Sequence, residues 1–261
     1  DDRVALVEIN RPTKLNAINK SVKEEMAAAL KHFAEDDGAR VMVVSGAGNR
    51  AFSVGFDLVE STGTSRRDVK AWRGRTKDDY EFCRSPWDCP KPIIAMIDGH
   101  CLAGAMEFAQ MCDIRYCSDR ATFGVVETRF SAGIVTLGYP YIFGNRAREL
   151  IYTGDTFGAD EAYRLGFVNR VESPDKLRSE TLRHAKRMSM VALDCLTWNK
   201  RAFNNAYTGM GFEQGMLYGL EACTLMDVEH TPEYLEFSRI REESGLNAAL
   251  AWRDSQFAPY E

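Results

Sequence analysis

At 261 residues the chain is long enough to bury a sizeable apolar core without disulfides, as one large domain or one domain with a helical appendage. A net charge of −5, with no long block of lysine and arginine, argues against nucleic acid as a partner, and no apolar run has the length to cross a bilayer. The seven cysteines are odd in number and include no CxxC pair, so they fit neither a disulfide framework nor a zinc ribbon, and free thiols in a reducing compartment are expected.

The β-branched, alternating run VALVEI predicts a strand, and NRPTKLNAI turns at Pro12. NKSVKEEMAAALKHFAED carries Val22, Met26, Leu30 and Phe33 at helical spacing, with Ser21 as the expected N-cap and Gly38 closing the helix. VMVVSGAG reads as a short buried strand, and RAFSVGFDL as a second that breaks at Gly55. Residues 61–90 are polar and mixed, with TGTSRRD as a mobile, pocket-shaping loop ahead of a helix over VKAWRGRTKDDYEFCR. KPIIAMIDG is a buried strand, LAGAMEFAQMC a helix opening on Gly104, and DIRYCS and ATFGVV short strands. The later pattern is helical, through YPYIFGNRARELIYTG, GADEAYRLGF and DKLRSETLRHAKRMSM to a long final run.

This alternation predicts an α/β fold with mostly parallel strands. From about residue 195 a separate helical layer is expected. Its Trp198, Phe203, Tyr207, Phe212, Tyr218 and Leu225 would pack on the core or on a second subunit. DDRVALVEINRP shows no signal or transit peptide, so the expected location is the cytoplasm, or the mitochondrial matrix had a transit peptide been removed.

Two buried strands break at glycine, in GFDL and in LAGAMEF. Glycine lets a ligand approach the backbone closely, and a helix N-terminus has unpaired N–H groups. Two such groups aimed at one point can hold an oxyanion; the candidates are the amides of Phe56 and Gly104. The plain alternative is that both glycines only permit tight packing. Glu107 lies in the first turn of the Gly104 helix among apolar neighbours, where partial burial, or a simple dipole-pairing role, is expected. Glu127 ends the ATFGVV strand, a place where ligands collect in α/β proteins, unless it merely caps the next segment. Two carboxylates beside an oxyanion site suit acid–base work on water or a carbon acid. Of the four histidines, His32, His184 and His230 are expected to face solvent, whereas His100 either lines the pocket or is packed and hydrogen-bonded. No GxSxG elbow, Walker sequence, HExxH or GxGxxG after a strand is present.

The stretches INRPTKLNAI, AFSVGFDL, KPIIAMIDGHCLAGAMEFAQMCDIRYCSDRATFGVVE and TGDTFGADEAYRLGFVNRV, with the charged helical C-terminus, together resemble the crotonase (enoyl-CoA hydratase/isomerase) superfamily over essentially the whole chain. The resemblance implies a spiral of ββα units with a C-terminal helical layer: residues 1–194 as the acyl-CoA-binding core, residues 195–261 for packing and assembly into homotrimers or dimers of trimers. It implies an acyl-CoA thioester as partner, with coenzyme A as part of the substrate and no other cofactor or metal. The thioester oxygen would sit between the amides of Phe56 and Gly104, and Glu107 and Glu127 would handle the water of a hydratase. Substrate contacts would come from Lys14, Asn16 and Ala17 in the KLNA turn and from Phe56, Asp57, Leu58 and Val59 along the CoA arm. The family also supports isomerisation and thioester or C–C hydrolysis, and a non-catalytic acyl-CoA-binding protein is a third possibility. Phe56 stands where the family commonly has a small residue, AGAME has alanine at two positions where many members have glycine, and ETRFSAGIVTLGYPYIFG departs from the usual Gly/Pro-rich loop.

Overall fold

The computed structural model describes residues 3–58 and 68–260. All of the expected TGTSRRD loop except Asp68, and the substrate-binding candidate Val59, lie outside the described residues. Five strands form one parallel sheet in the order β1 (Val4–Ile9), β2 (Val41–Gly46), β4 (Ile93–Ile97), β6 (Ile114–Ser118), β9 (Arg170–Glu172). A second sheet has the order β3 (Ala51–Ser53), β5 (His100–Leu102), β7 (Thr122–Gly124), β8 (Thr156–Gly158), with only β7–β8 antiparallel.

Successive units build both sheets. The chain runs along β2, turns into β3, and then forms helix α2 (Val69–Asp88). It repeats the path along β4, β5 and helix α3 (Gly104–Met111), and again along β6 and β7 into a 3₁₀ turn, Val126–Phe130. Because β3 and β5 are hydrogen-bonded neighbours, the two glycine breaks that follow them come side by side. The expected spiral of ββα units is what the structure contains.

The first helix, α1 (Lys20–Glu35), buries Met26, Leu30 and Phe33 as its spacing predicts. Its N-cap is Asn19 rather than Ser21: the Asn19 side chain accepts the Val22 N–H at 3.1 Å, while Ser21 lies inside the first turn and donates to Glu25. The helix stops at Glu35, ahead of Gly38, where Lys91 donates to the carbonyls of Phe33, Asp36 and Ala39. Arg115 does the same for α3, reaching the carbonyls of Ala109, Gln110 and Cys112. Buried cations thus close carbonyls that helix ends leave open. The YPYIFGNRARELIYTG pattern divides at Gly144 into α4 (Tyr139–Phe143) and α5 (Arg146–Thr153), followed by α6 (Ala159–Arg164) and α7 (Pro174–Ser189).

The helical layer comprises α8 (Leu193–Gly209), α9 (Phe212–Glu229), α10 (Pro232–Ser244) and α11 (Leu246–Phe257). Phe212 is buried, stacked on Trp87 at 4.6 Å between ring centres, whereas Trp198, Phe203, Tyr207, Tyr218 and Leu225 are exposed. Two histidines differ from expectation. His184 is buried edge-to-face with Tyr116 on the packed face of α7, and His230, in the link between α9 and α10, is buried between Trp72 and Tyr234, despite charged sequence neighbours. His100 is exposed and hydrogen-bonded to Thr122 at 2.7 Å. Six of the seven cysteines are buried, and all seven are free thiols.

Asn16 stitches three segments together. Its side chain accepts the Arg11 N–H at 2.9 Å and donates to the carbonyls of Ala47 and Ala51 at 2.9 and 2.7 Å. Asn16→Ala leaves these buried groups unpaired, so a loss of about 2–4 kcal/mol in urea unfolding is expected. An unchanged midpoint would show that the turn is held by other contacts.

Candidate active site

After β3 the chain makes a bridge with Ile18: the Ile18 N–H donates to Gly55 O and the Asp57 N–H to Ile18 O, both at 2.8 Å. Phe56 lies between them with its own N–H turned the other way. Gly104 opens α3, where the N–H has no partner one turn back. Among the described residues neither amide has an acceptor. Gly55 has φ +90°, and a Cβ there would fall 3.1 Å from the Gly104 nitrogen and 2.7 Å from the Ala103 Cβ. The two breaks are therefore in direct contact. Ala103 takes φ 54°, ψ −136°, a conformation that glycine adopts readily and alanine does not.

Glu107, one turn into α3, is 1% exposed. Its Oε2 accepts the Thr136 N–H at 2.5 Å and the Thr136 hydroxyl at 2.7 Å, and the Val135 amide also acts on it. Gln110, on the same face of α3, donates to Thr136 O at 2.7 Å and to its Oγ1 at 3.0 Å. Burial pushes the Glu107 carboxyl up to about 7, against the pull of the Thr136 donors. Glu127 sits in the 3₁₀ turn after β7 with both oxygens closed to solvent and, among the described residues, with no donor beyond the pull of its own backbone amide. Burial, then the neighbouring Glu107, hold it well above the usual carboxylate range. The two carboxyls interact directly but are not aligned as a formed hydrogen bond. With the Thr136 donors on one and only its own backbone amide on the other, a single retained proton belongs on Glu127.

Around this pair lie Cys83, whose Sγ donates to Gly104 O at 3.5 Å, and the wholly buried Tyr139. The Phe56 ring meets Phe82 edge-on at 6.2 Å, and Phe82 stacks on Phe108 at 5.1 Å. Of the expected substrate-binding residues, Lys14 is exposed, while Asn16 turns its side chain inward. Arg11 joins Ala17 to Asp57: its Nη1 donates to Ala17 O at 2.6 Å and pairs with Asp57 Oδ2 at 3.0 Å. Arg241 of α10 reaches Leu58 O at 3.4 Å. Thr136, Gln110 and Arg11 were not among the residues expected from sequence. A lone threonine and glutamine in the apolar runs IVTLG and AMEFAQM are the only signal they leave. A separate cavity of about 450 Å³ opens beyond Gln110, lined by Trp87, Tyr141, Phe203 and Tyr207, and reaches neither glutamate. Among the described residues no group of His, Cys, Asp and Glu could hold a metal ion.

A spiral of ββα units in which two unused strand-end amides adjoin a pair of buried carboxyls defines an enzyme of the crotonase class. The family model described as enoyl-CoA hydratase/isomerase matches residues 1–221. A crotonyl-CoA hydratase of Syntrophomonas wolfei is 27% identical, covering 98% of this chain and 95% of its own length. A probable enoyl-CoA hydratase of Rhizobium meliloti is 33% identical over 98% of this chain and 94% of its own. The crystal structure of an enoyl-CoA hydratase/isomerase from Xanthobacter autotrophicus Py2 superposes with a TM-score of 0.95 at 37% identity, covering 98% of this chain and 96% of that one. The chain belongs to the enoyl-CoA hydratase/isomerase family.

Two stability changes follow from the site. Ala103→Gly relieves the unfavourable backbone, so unfolding should shift upward by on the order of 1 kcal/mol; a loss of stability would mean that the Ala103 methyl packs usefully. Glu107 is held at about 7 against 4.5 in a free chain, so the folded state keeps a proton that the unfolded chain releases between those values. The stability this proton confers is complete below 4.5 and is lost as pH rises toward and past neutrality. Glu107→Gln does not titrate, so its melting temperature should gain on wild type from about pH 4.5 to pH 8 and then level off. Parallel melting curves across that range would refute the burial argument.

Proposed function

We propose that the protein is an enoyl-CoA hydratase, adding water reversibly across a 2-enoyl-CoA thioester. The observation that carries this is the unequal pair: Glu107 gripped by Thr136, Glu127 with only its own backbone amide, next to two amides that have no acceptor among the described residues. The amides of Phe56 and Gly104 hydrogen-bond the thioester oxygen, drawing electrons from the conjugated double bond and making Cβ electrophilic. Glu107 takes a proton from water as its oxygen bonds to Cβ. The double-bond electrons move onto the thioester as an enolate, and Glu127 returns a proton to Cα. Dehydration is the same sequence reversed, with the roles exchanged.

Lys14, Ala17, Asp57, Leu58 and Val59 would follow the CoA arm, with Asn16 shaping the turn from inside. The Phe56 ring, with Phe82 behind it, borders the acyl side of the carbonyl. Coenzyme A comes with the substrate, and the proposed steps use no other cofactor. The core up to residue 194 would bind substrate, and the helices from 195 on would pack and assemble; the exposed Trp198, Phe203 and Tyr207 support association into a homotrimer or a dimer of trimers. No described helix is long and apolar enough to cross a membrane, which accords with a cytoplasmic location.

Isomerisation is the second reading. With Glu107 taking a proton from one carbon and the protonated Glu127 delivering its own to another carbon of the same acyl chain, the pair would shift the double bond instead of adding water. The two reactions separate on crotonyl-CoA, where hydration removes the enoyl thioester absorbance without releasing free CoA. Glu127→Gln should lower kcat by ~10²–10⁴-fold with little change in KM. Equal rates for variant and wild type on every substrate turned over would remove Glu127 from the chemistry, and thiol release in step with substrate loss would replace hydration by hydrolysis.

A further inference from the structure

We infer that Asp227, on α9 of the C-terminal layer, is a positioning residue for the reaction: it anchors the 133–136 turn that grips the Glu107 carboxylate. The inference rests on the proton roles proposed above. The Gly133 N–H donates to Asp227 Oδ1 at 3.3 Å. Gly133 is pressed against α9 so closely that a Cβ there would lie 2.4 Å from the Cys223 Cα, one turn before Asp227. The Cys223 thiol donates to Asp227 Oδ2 at 3.7 Å. Three residues past Gly133, Thr136 delivers its N–H and hydroxyl to Glu107. The turn is thus held at one end by α9 and spends its donors on the catalytic base at the other.

Helix α9 is itself fixed. Thr224 and Thr76 of α2 share a buried hydroxyl–hydroxyl bond of 2.8 Å. One turn further along α2, Asp79 pairs with Arg75 at 3.9 Å and with Lys23 of α1. Lys23 Nζ in turn stands 4.9 Å from the centre of the Phe56 ring. Arg75 and Asp79 from α2, the Gly133 amide from the turn and Cys223 from α9 are the groups that act on Asp227, with Glu107 beyond Cys223. Two cations, Lys23 and Arg75, face two anions, Asp79 and Asp227. Burial raises Asp227 to about 6, so acid discharges this member of the network just below neutrality.

Asp227→Ala and Asp227→Asn separate an anchor from a bystander, because asparagine still accepts the Gly133 N–H. Gly133→Ala attacks the same contact from the other side and decides the matter if the alanine variant does not fold. The readout is the titration of the Glu107 carboxyl, followed by infrared difference against Glu107→Gln in each background, which needs no turnover. Alongside it runs the pH profile of kcat on crotonyl-CoA. Weakened donors should move the Glu107 midpoint, and with it the acid limb of kcat, up by about one pH unit in Asp227→Ala and Gly133→Ala. In Asp227→Asn it should stay at or below wild type. An unmoved Glu107 midpoint in Asp227→Ala and Gly133→Ala overturns the inference, as does an asparagine variant that shifts as far as alanine. Absence of hydration by wild type, with the Glu107 shifts intact, would instead overturn the reaction and leave the anchor standing.

Discussion

Two carboxyl groups that interact inside a dry core cannot both be charged, and this site is arranged around that restriction. The Coulomb cost of two neighbouring anions rises steeply as water is removed. Which of the two keeps its charge is decided by hydrogen-bond donors, and the protein supplies them asymmetrically. Thr136 gives two to Glu107, and among the described residues Glu127 has only the pull of its own backbone amide. On the proposed mechanism one group thereby receives a proton and the other delivers one, from two side chains of identical chemistry. The arrangement costs stability, since both acids are held above their free values at neutral pH.

The fold brings this about through strand order. Parallel pairing of β3 with β5, and of β5 with β7, aligns three strand ends. Phe56, Gly104 and Glu127 follow those ends, and Glu107 stands one turn past Gly104. Aligning them demands irregular backbone. Gly55 accepts a positive φ without cost, whereas Ala103 adopts a similar sign with a methyl group attached. Strain of order 1–3 kcal/mol at such a residue persists only where neighbours fix it. Here the Ala103 N–H is tied to Gly124 O, and its carbonyl accepts from Met106 and Glu107.

Much of this was legible in the chain. Strands of β-branched residues and the helix of Met26, Leu30 and Phe33 carry their own periodicity, and the two glycine breaks mark where the backbone must be approached. Three short strands were not legible: β5, β8 and β9 have three residues each and, unlike β3 and β7, no longer apolar run around them to mark a strand. The cap at Asn19 was displaced to Ser21 because both residue types cap well and only the φ of the first turn separates them. Charged sequence neighbours do not reveal the burial of His184 on the packed face of α7 or of His230 in the link between α9 and α10. The donors to Glu107 were hidden for a deeper reason. Thr136 lies twenty-nine residues from its partner, and its role depends wholly on where a tertiary turn falls.

The same turn ties the last third of the molecule to the first two. A C-terminal helical layer invites a purely architectural reading, as packing or assembly. Yet α9 touches the 133–136 turn with no room for even a methyl group between them, and α10 reaches the carbonyl of Leu58, two residues past the oxyanion candidate Phe56. Phe257 of α11 lies 4.4 Å beneath the Arg129 guanidinium, two residues past Glu127. Each half of the site is therefore backed by a helix that carries none of its reacting groups. A carboxyl whose protonation is balanced between burial and two hydrogen bonds responds to small changes in those bonds, and on the proposed reading that balance is set from the layer outside the core.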